Sequence, residues 1–258
     1  MKPLETTRNI AIAMALILVS ALASAETISL VSGEEYPPFT GSSLTSGGVL
    51  TELVQLAFAA AGHRITLDFK PWARGYEETL GLEYEGTYPY LSTARRKADF
   101  LFSDPLYNLS LRFYVQQSSR WQSGSPQELR NAIFCLPLGY EVSGWVRRQS
   151  EQLNFVRPRS MQQCYAMLEL GRVDVLISNP DEVAWQAMAP QLTAHNVRQL
   201  PEPLGDVTLH LIFPRAHPSA QKTLHEFNKG LRHIISTGVR DRLFNEHPAY
   251  PYGVQTKN

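Results

Sequence analysis

Two hydrophobic periods alternate along this chain, and each predicts its own kind of element. From Val49 to Ala61 the apolar residues Leu50, Leu53, Val54, Ala57, Phe58 and Ala61 fall on one helical face, and Gly62 is placed to end that helix. Directly after it, Ile65, Leu67 and Phe69 alternate with Thr66, Asp68 and Lys70, which predicts a half-buried strand closed by Pro71. With the β-rich run Thr27 to Ser32 in front, the chain opens strand, helix, strand, the order of an α/β layer with parallel pairing. A second helix is predicted over Ala73 to Leu80, and DFLFS, Asp99 to Ser103, reads as a buried strand.

The middle of the chain repeats this style with its own punctuation. NAIFCLPLG reads as a strand running into a loop, Ser143 is placed to cap a helix from Gly144 to Leu153, and NFVRP is a brief strand. Ser160 and Gln163 form an S-x-x-Q capping box ahead of MQQCYAMLELG, where Gly171 supplies the stop. Val173 to Ser178 is the next buried strand. Asn179-Pro180-Asp181-Glu182 then opens a helix with cap, N1 proline and acidic first turn in place. From Val207 the pattern turns again: VTLHLIFP is a strand, and helices follow over Ala220 to Ile235 and Val239 to His247. Leu224, Phe227, Leu231 and Ile234 give the first of these a buried stripe.

Composition changes this picture mainly at the N-terminus. Lys2 and Arg8 against Glu5, the apolar run Ile10 to Leu22 and the small residues Ala23-Ser24-Ala25 predict a signal peptide over residues 1–25, cleaved after Ala25. That run is shorter than the about 20 apolar residues of a membrane span. The new N-terminus would be Glu26 rather than cysteine, so no lipid anchor is expected, and the mature chain is expected in a bacterial periplasm. Removing 25 of the 258 residues leaves 233, and the balance of 24 basic and 24 acidic residues becomes a net charge of −1. Without a basic excess, nucleic acid is not an expected partner. Cys135 and Cys164 both lie in the exported part, where a disulfide is expected; two free thiols are the alternative. The closed loop of about 30 residues would stabilise by on the order of 3 kcal/mol. Two cysteines without paired histidines imply no metal site, and no cofactor is expected.

Local chemistry leaves alternatives open. In EEYPPF the prolines end a strand and hold Tyr36 and Phe39 in a stiff loop, either as core or as a ligand platform. Arg95-Arg96-Lys97 is either a solvated basic turn or, beside a helix start capped by Ser92 or Thr93, a fork for a carboxylate. The pairs Glu34-Glu35 and Glu77-Glu78 diverge as neighbours do, and the histidines are scattered, so no catalytic set is expected.

The ordered set EYPPF, the Gly-Gly helix, PWARG, STARRKADFLFSDPLY, GRVDVLIS and LHLIFPRAHPSAQKTLHEFNKGL resembles the extracellular solute-binding proteins of family 3, the polar-amino-acid receptors of bacterial ABC importers. The resemblance covers the chain from about Thr27 to about His247. It implies an α/β fold of type II periplasmic-binding-protein architecture, two lobes joined by two crossover strands with the ligand cleft between them. One lobe would be residues 26–116 with 206–258, and the inserted lobe residues 117–205. It further implies a monomer that captures a small amino-acid-like or carboxylate solute by lobe closure and presents it to an inner-membrane permease. A solute sensor, or an enzyme of cyclohexadienyl-dehydratase type on the same scaffold, is the alternative.

The same resemblance assigns site residues. The motif T-x-x-R maps onto Thr93 and Arg96, the arginine that would hold the solute's carboxylate. Tyr36 maps onto the ring that stacks on the ligand, with Phe39 packed beneath. Trp72 and Arg74 of PWARG, Tyr88 or else Tyr90 of TYPYLS, and Tyr140 of PLGYEVSG are further candidates, and Ser143 is a possible contact. Two positions depart from the family. Asn179 stands where amino-acid receptors carry the aspartate for the α-ammonium, so a standard α-amino group is expected only if Asp181 or Glu182 turns inward. Leu91 stands where a polar residue commonly precedes the T-x-x-R turn.

Overall fold

The computed structural model describes residues 27–188 and 196–248; the signal segment and the final PAYPYGVQTKN residues beyond 248 lie outside them. Strand β1 (Thr27–Gly33), helix α1 (Val49–Ala60) and strand β2 (Arg64–Lys70) form the opening layer, with β1 and β2 parallel. Gly62 takes a positive φ of 87° just past that helix, the left-handed stop its position predicts. Helix α2 (Trp72–Leu80) leads to β3 (Gly86–Leu91), which joins the other edge of β1, also parallel. A short helix α3 (Ala94–Asp99) and β4 (Phe100–Phe102) precede the long strand β5 (Tyr107–Gln116).

The second half reuses the plan on shorter elements. Helix α4 (Pro126–Leu129), β6 (Ile133–Cys135), α5 (Gly144–Arg148), β7 (Asn154–Val156), α6 (Met161–Glu169), β8 (Val175–Ser178) and α7 (Pro180–Met188) follow in order. Strand β6 pairs in parallel with both β7 and β8. The chain then returns through the 18-residue strand β9 (Val197–Pro214) to α8 (Ala220–Ser236) and α9 (Val239–Glu246). The resulting order is β2-β1-β3-β9-β5-β8-β6-β7, with β4 also on β9. Two parallel units thus flank an antiparallel β5–β9 pair that runs through both.

Several elements differ from the sequence reading. Strand β3 was not expected because Pro89 sits inside it; the β3–β9 register shifts between Thr87 and Tyr90, and that irregularity accommodates the residue that cannot donate to a ladder. Strand β9 begins ten residues before Val207, since PEPLG carries no alternation yet pairs with β5. The helix predicted to Leu153 ends at Arg148, followed by a 3-10 turn over Ser150–Gln152. Ser143 occupies the N-cap position of α5 but makes no side-chain capping bond. In α6 the Ser160 hydroxyl accepts from the Gln163 backbone N–H (3.3 Å), as expected.

The disulfide is present: Cys135 on β6 and Cys164 on α6 are bonded, with Cα atoms 5.6 Å apart. It sits in a compact cluster with Tyr114, Met161, Tyr165, Leu168 and Leu176, separate from the main core. In the first half α1 and α8 pack so closely that a Cβ on Gly230 would fall 2.0 Å from the Ala57 carbonyl oxygen.

Candidate functional site

The loop after β1 is pinned before it presents any side chain. Tyr36 and Thr40 exchange backbone hydrogen bonds (3.0 and 2.9 Å), and the Thr40 hydroxyl donates to the Gly33 carbonyl. The first N–H groups of α1, on Val49 and Leu50, donate to the carbonyls of Pro38 and Phe39. Gly48 permits that approach: its φ is 98°, and a Cβ there would lie 2.4 Å from the Phe39 oxygen. Phe39 is fully buried against Tyr36, their rings 5.0 Å apart.

Tyr36 faces a small cavity of about 60 Å³ to which both halves of the sheet contribute. From the first half come Tyr36, Trp72, Tyr90, Leu91 and Arg96; from the second come Leu136, Tyr140, Ser178, Asn179 and Glu182. Three rings close its mouth nearly at right angles: Tyr36 to Trp72 at 5.9 Å, Tyr36 to Tyr140 at 5.5 Å and Trp72 to Tyr140 at 6.0 Å. Polar contacts also cross between the halves. Arg96 Nη2 donates to the Gly139 carbonyl (3.2 Å), and the Tyr107 hydroxyl donates to Asp181 (2.9 Å).

Two ionisable groups in this cavity are almost fully buried, and their signs are opposite. Arg96 is 6% exposed; its guanidinium lies 4.7 Å from the Tyr90 ring, and its two side-chain hydrogen bonds go to neutral carbonyls, Leu91 (3.1 Å) and Gly139. Burial lowers its pKa, with Glu141 the first of the charges opposing that. Glu182 is 1% exposed. Its Oε2 accepts from the Ser178 hydroxyl (2.6 Å), while its Oε1 has no partner among the described residues. Burial pushes this carboxyl up to about 8, against a smaller opposing effect of the Ser178 bond. Burial likewise raises the phenols of Tyr36 and Tyr140, with Glu182 adding to both.

Of the residues singled out in the sequence, Tyr36, Trp72, Arg96, Tyr140 and Asn179 line this cavity together. Three do not. Thr93 caps α3, its hydroxyl accepting from the Arg96 backbone N–H (3.2 Å), and so positions the arginine rather than facing the cavity. Arg74 points outward to Glu78 (2.6 Å), one turn on along α2. Tyr88 is wholly buried in the first half and does not line the cavity, whereas Pro89, Tyr90 and Leu91 after it do, past the register shift of β3. Asn179 acts as a cap, accepting from the Glu182 backbone N–H (3.0 Å), with its amide 3.5 Å from the Tyr36 hydroxyl. The inward turn that a buried ammonium would require is made by Glu182. Its signal was an N-cap asparagine followed at N3 by glutamate, the spacing of a capping box, whose carboxylate here turns to Ser178 instead of the cap N–H. Tyr90, the other tyrosine of TYPYLS, and Leu91, the second departure from the family, both line the cavity. Glu34 and His210 are engaged elsewhere, Glu34 with the Ser42 N–H and His210 with Thr208 and the Ser103 carbonyl.

The architecture around this cavity recurs in solved structures. The ligand-binding core of GluR0 from Nostoc punctiforme, solved with L-glutamate, superposes with a TM-score of 0.72 at 16% identity, over 86% of this chain and 99% of that one. A putative L-cystine ABC transporter protein from Listeria monocytogenes gives 0.73 at 17%, over 89% and 99%. The arginine-, lysine- and histidine-binding protein ArtJ from Geobacillus stearothermophilus gives 0.72 at 15%, over 89% and 97%. The chain has the two-lobe type II periplasmic-binding-protein fold. No family model matches its sequence, and no curated protein does. The antiparallel pair β5–β9 runs between the two halves of the sheet and contributes Leu109, Leu111 and Leu209 to the lining of the cavity.

Proposed function

We propose that the protein is a periplasmic solute-binding protein for an amino acid or close analogue, held zwitterionically with its carboxylate on Arg96 and its ammonium on Glu182. The observation that carries this reading is the pairing of a buried guanidinium bound only to neutral carbonyls with a buried carboxyl that keeps one oxygen unpartnered, in one cavity. Tyr36, Trp72 and Tyr140 are the rings that close on the solute, and Asn179 holds Glu182's turn in place. The lobes are residues 26–116 with 206–258, and residues 117–205. Closure is driven by contacts that need both. Export through the signal segment, cleavage after Ala25, a monomeric state and delivery to an inner-membrane ABC permease complete the reading. The structural neighbours named for amino-acid binding and ABC transport support it.

A thermal-shift panel of the twenty amino acids and small carboxylates tests it. A solute at 100-fold its Kd stabilises by about 2.7 kcal/mol, a rise of several degrees for a chain of this size. Arg96→Ala removes that rise while the solute-free protein still melts cooperatively; retained affinity in the variant would take Arg96 out of the site.

One observation favours a second reading. A carboxyl titrating at about 8 is protonated at neutral pH and chemically fit to act as a general acid, as an enzyme on this scaffold would need. Recovery of the bound solute unchanged after long incubation, followed by NMR, supports binding; its conversion would establish catalysis.

A further inference from the structure

We infer that the solute's side chain is apolar, which deepens the zwitterion reading above and rests on it. The cavity has one buried guanidinium and one buried carboxyl, and a zwitterion's two termini, the ammonium pairing with the carboxyl once its proton has left, consume both. What remains of the wall is aromatic and aliphatic: besides the three rings, six branched side chains line it, Leu91, Leu109, Leu111, Leu136, Ile177 and Leu209. The other polar atoms are spoken for or neutral. Ser178 donates to Glu182, and the Asn179 carbonyl oxygen accepts the Glu182 N–H. The unpartnered Tyr140 hydroxyl is an uncharged group suited to one further ammonium proton. Glu141, the second carboxylate at the wall, lies at the rim with its Oε2 3.5 Å from Arg147 Nη1.

A lysine or arginine side chain in this space would bury a second cation against leucines, and a glutamate would bury a second anion. Each carries a desolvation cost, which only the partly exposed Glu141 offsets for a cation and which nothing beyond Arg96 offsets for an anion. A branched aliphatic or aromatic side chain instead replaces the mutual contacts of Tyr36, Trp72 and Tyr140 with its own. This sets the protein apart from the neighbours named for glutamate and for arginine, lysine and histidine.

A second cavity of about 240 Å³ adjoins this one, and it defines the competing outcome. It shares Trp72, Arg96 and Tyr140 with the inner one, and its own lining adds Glu77 and Arg95. A solute with a charged tail would have to extend past the shared residues into that neighbouring cavity.

The experiment is isothermal titration of the full mature chain with L-leucine, L-isoleucine, L-valine and L-phenylalanine against L-arginine, L-lysine and L-glutamate. At least one of the apolar four is expected to bind at least about tenfold more tightly than any of the charged three. A charged amino acid binding as tightly as the best apolar one, while the Arg96→Ala variant binds neither, would overturn the side-chain inference and leave the zwitterion site standing. Silence across all seven and across the wider panel would overturn the zwitterion reading itself. Leu111→Glu separates the two walls further: it should abolish apolar binding if the side chain sits on the inner floor, and leaving it intact would contradict the inference. Far-UV circular dichroism of that variant establishes that it is folded.

Discussion

Glu182 is the residue on which the chemistry turns, because its environment makes it a proton acceptor in the physiological range. Burial raises its carboxyl to about 8 from an ordinary 4.5, so the folded solute-free protein keeps a proton that the unfolded chain has released. Stability therefore falls as pH rises between about 4.5 and about 8, by at most about 1.4 kcal/mol per pH unit, and levels off above. Solute affinity should move the other way. An ammonium pairs with the ionised carboxylate, so binding expels the proton, and affinity should climb by up to about tenfold per unit from pH 6 to pH 8. Arg96 stays charged throughout, and the Tyr36, Tyr140 and Tyr165 phenols facing Glu182 stay neutral because burial raises them. His210 and His247, whose pKa values burial lowers, also titrate on the acid side. Glu182→Gln isolates the effect: it should remove the high-pH part of the stability slope, and an unchanged slope would place the titration elsewhere. The sequence held the relevant clue at this scale, since an inward Asp181 or Glu182 was the stated condition for a normal amino group. Which of the two turns in depends on the Ser178 hydroxyl and the helix phase, which no local pattern reveals.

Elements were legible where one face of one element decides its structure. The α1 stripe, the Ser160 cap of α6 and the glycine stops at Gly62 and Gly171 follow from side chains a few residues apart, and the structure places them as expected, although the Gln163 side chain accepts from the Arg159 N–H and not from that of Ser160. Strand β3 and the early part of β9 were illegible because long-range pairing imposes them: Pro89 and PEPLG argue against strands locally, and neighbours in β5, β1 and β9 override them. The α1–α8 contact is another product of tertiary placement. Gly230→Ala would drive a methyl against the Ala57 carbonyl, 2.0 Å from where its carbon must go. A loss of about 1–3 kcal/mol is expected by chemical denaturation, the usual range for overpacking, despite alanine's higher helix propensity. A gain in stability would mean the two helices separate freely.

For the whole molecule, the fold followed from the order of motifs, while the cavity required the second lobe to be brought onto the first. Tyr36, Trp72 and Arg96 lie early in the chain and Tyr140, Asn179 and Glu182 far downstream, and only β5 and β9 bring the sets within ring contact. The hydrogen bonds Arg96 to Gly139 and Tyr107 to Asp181 already link the two sets. A zwitterion bridging Arg96 and Glu182 would add a third link, made only when both lobes take part. The most direct measurement is a paired titration of the full mature chain with L-leucine and with 4-methylpentanoate, the same molecule without its amino group. Arg96 meets the carboxylate of both, but Glu182 meets an ammonium only in the first, so leucine should bind at least about a hundredfold more tightly. Equal affinity for the two, or tighter binding of 4-methylpentanoate, would contradict the account.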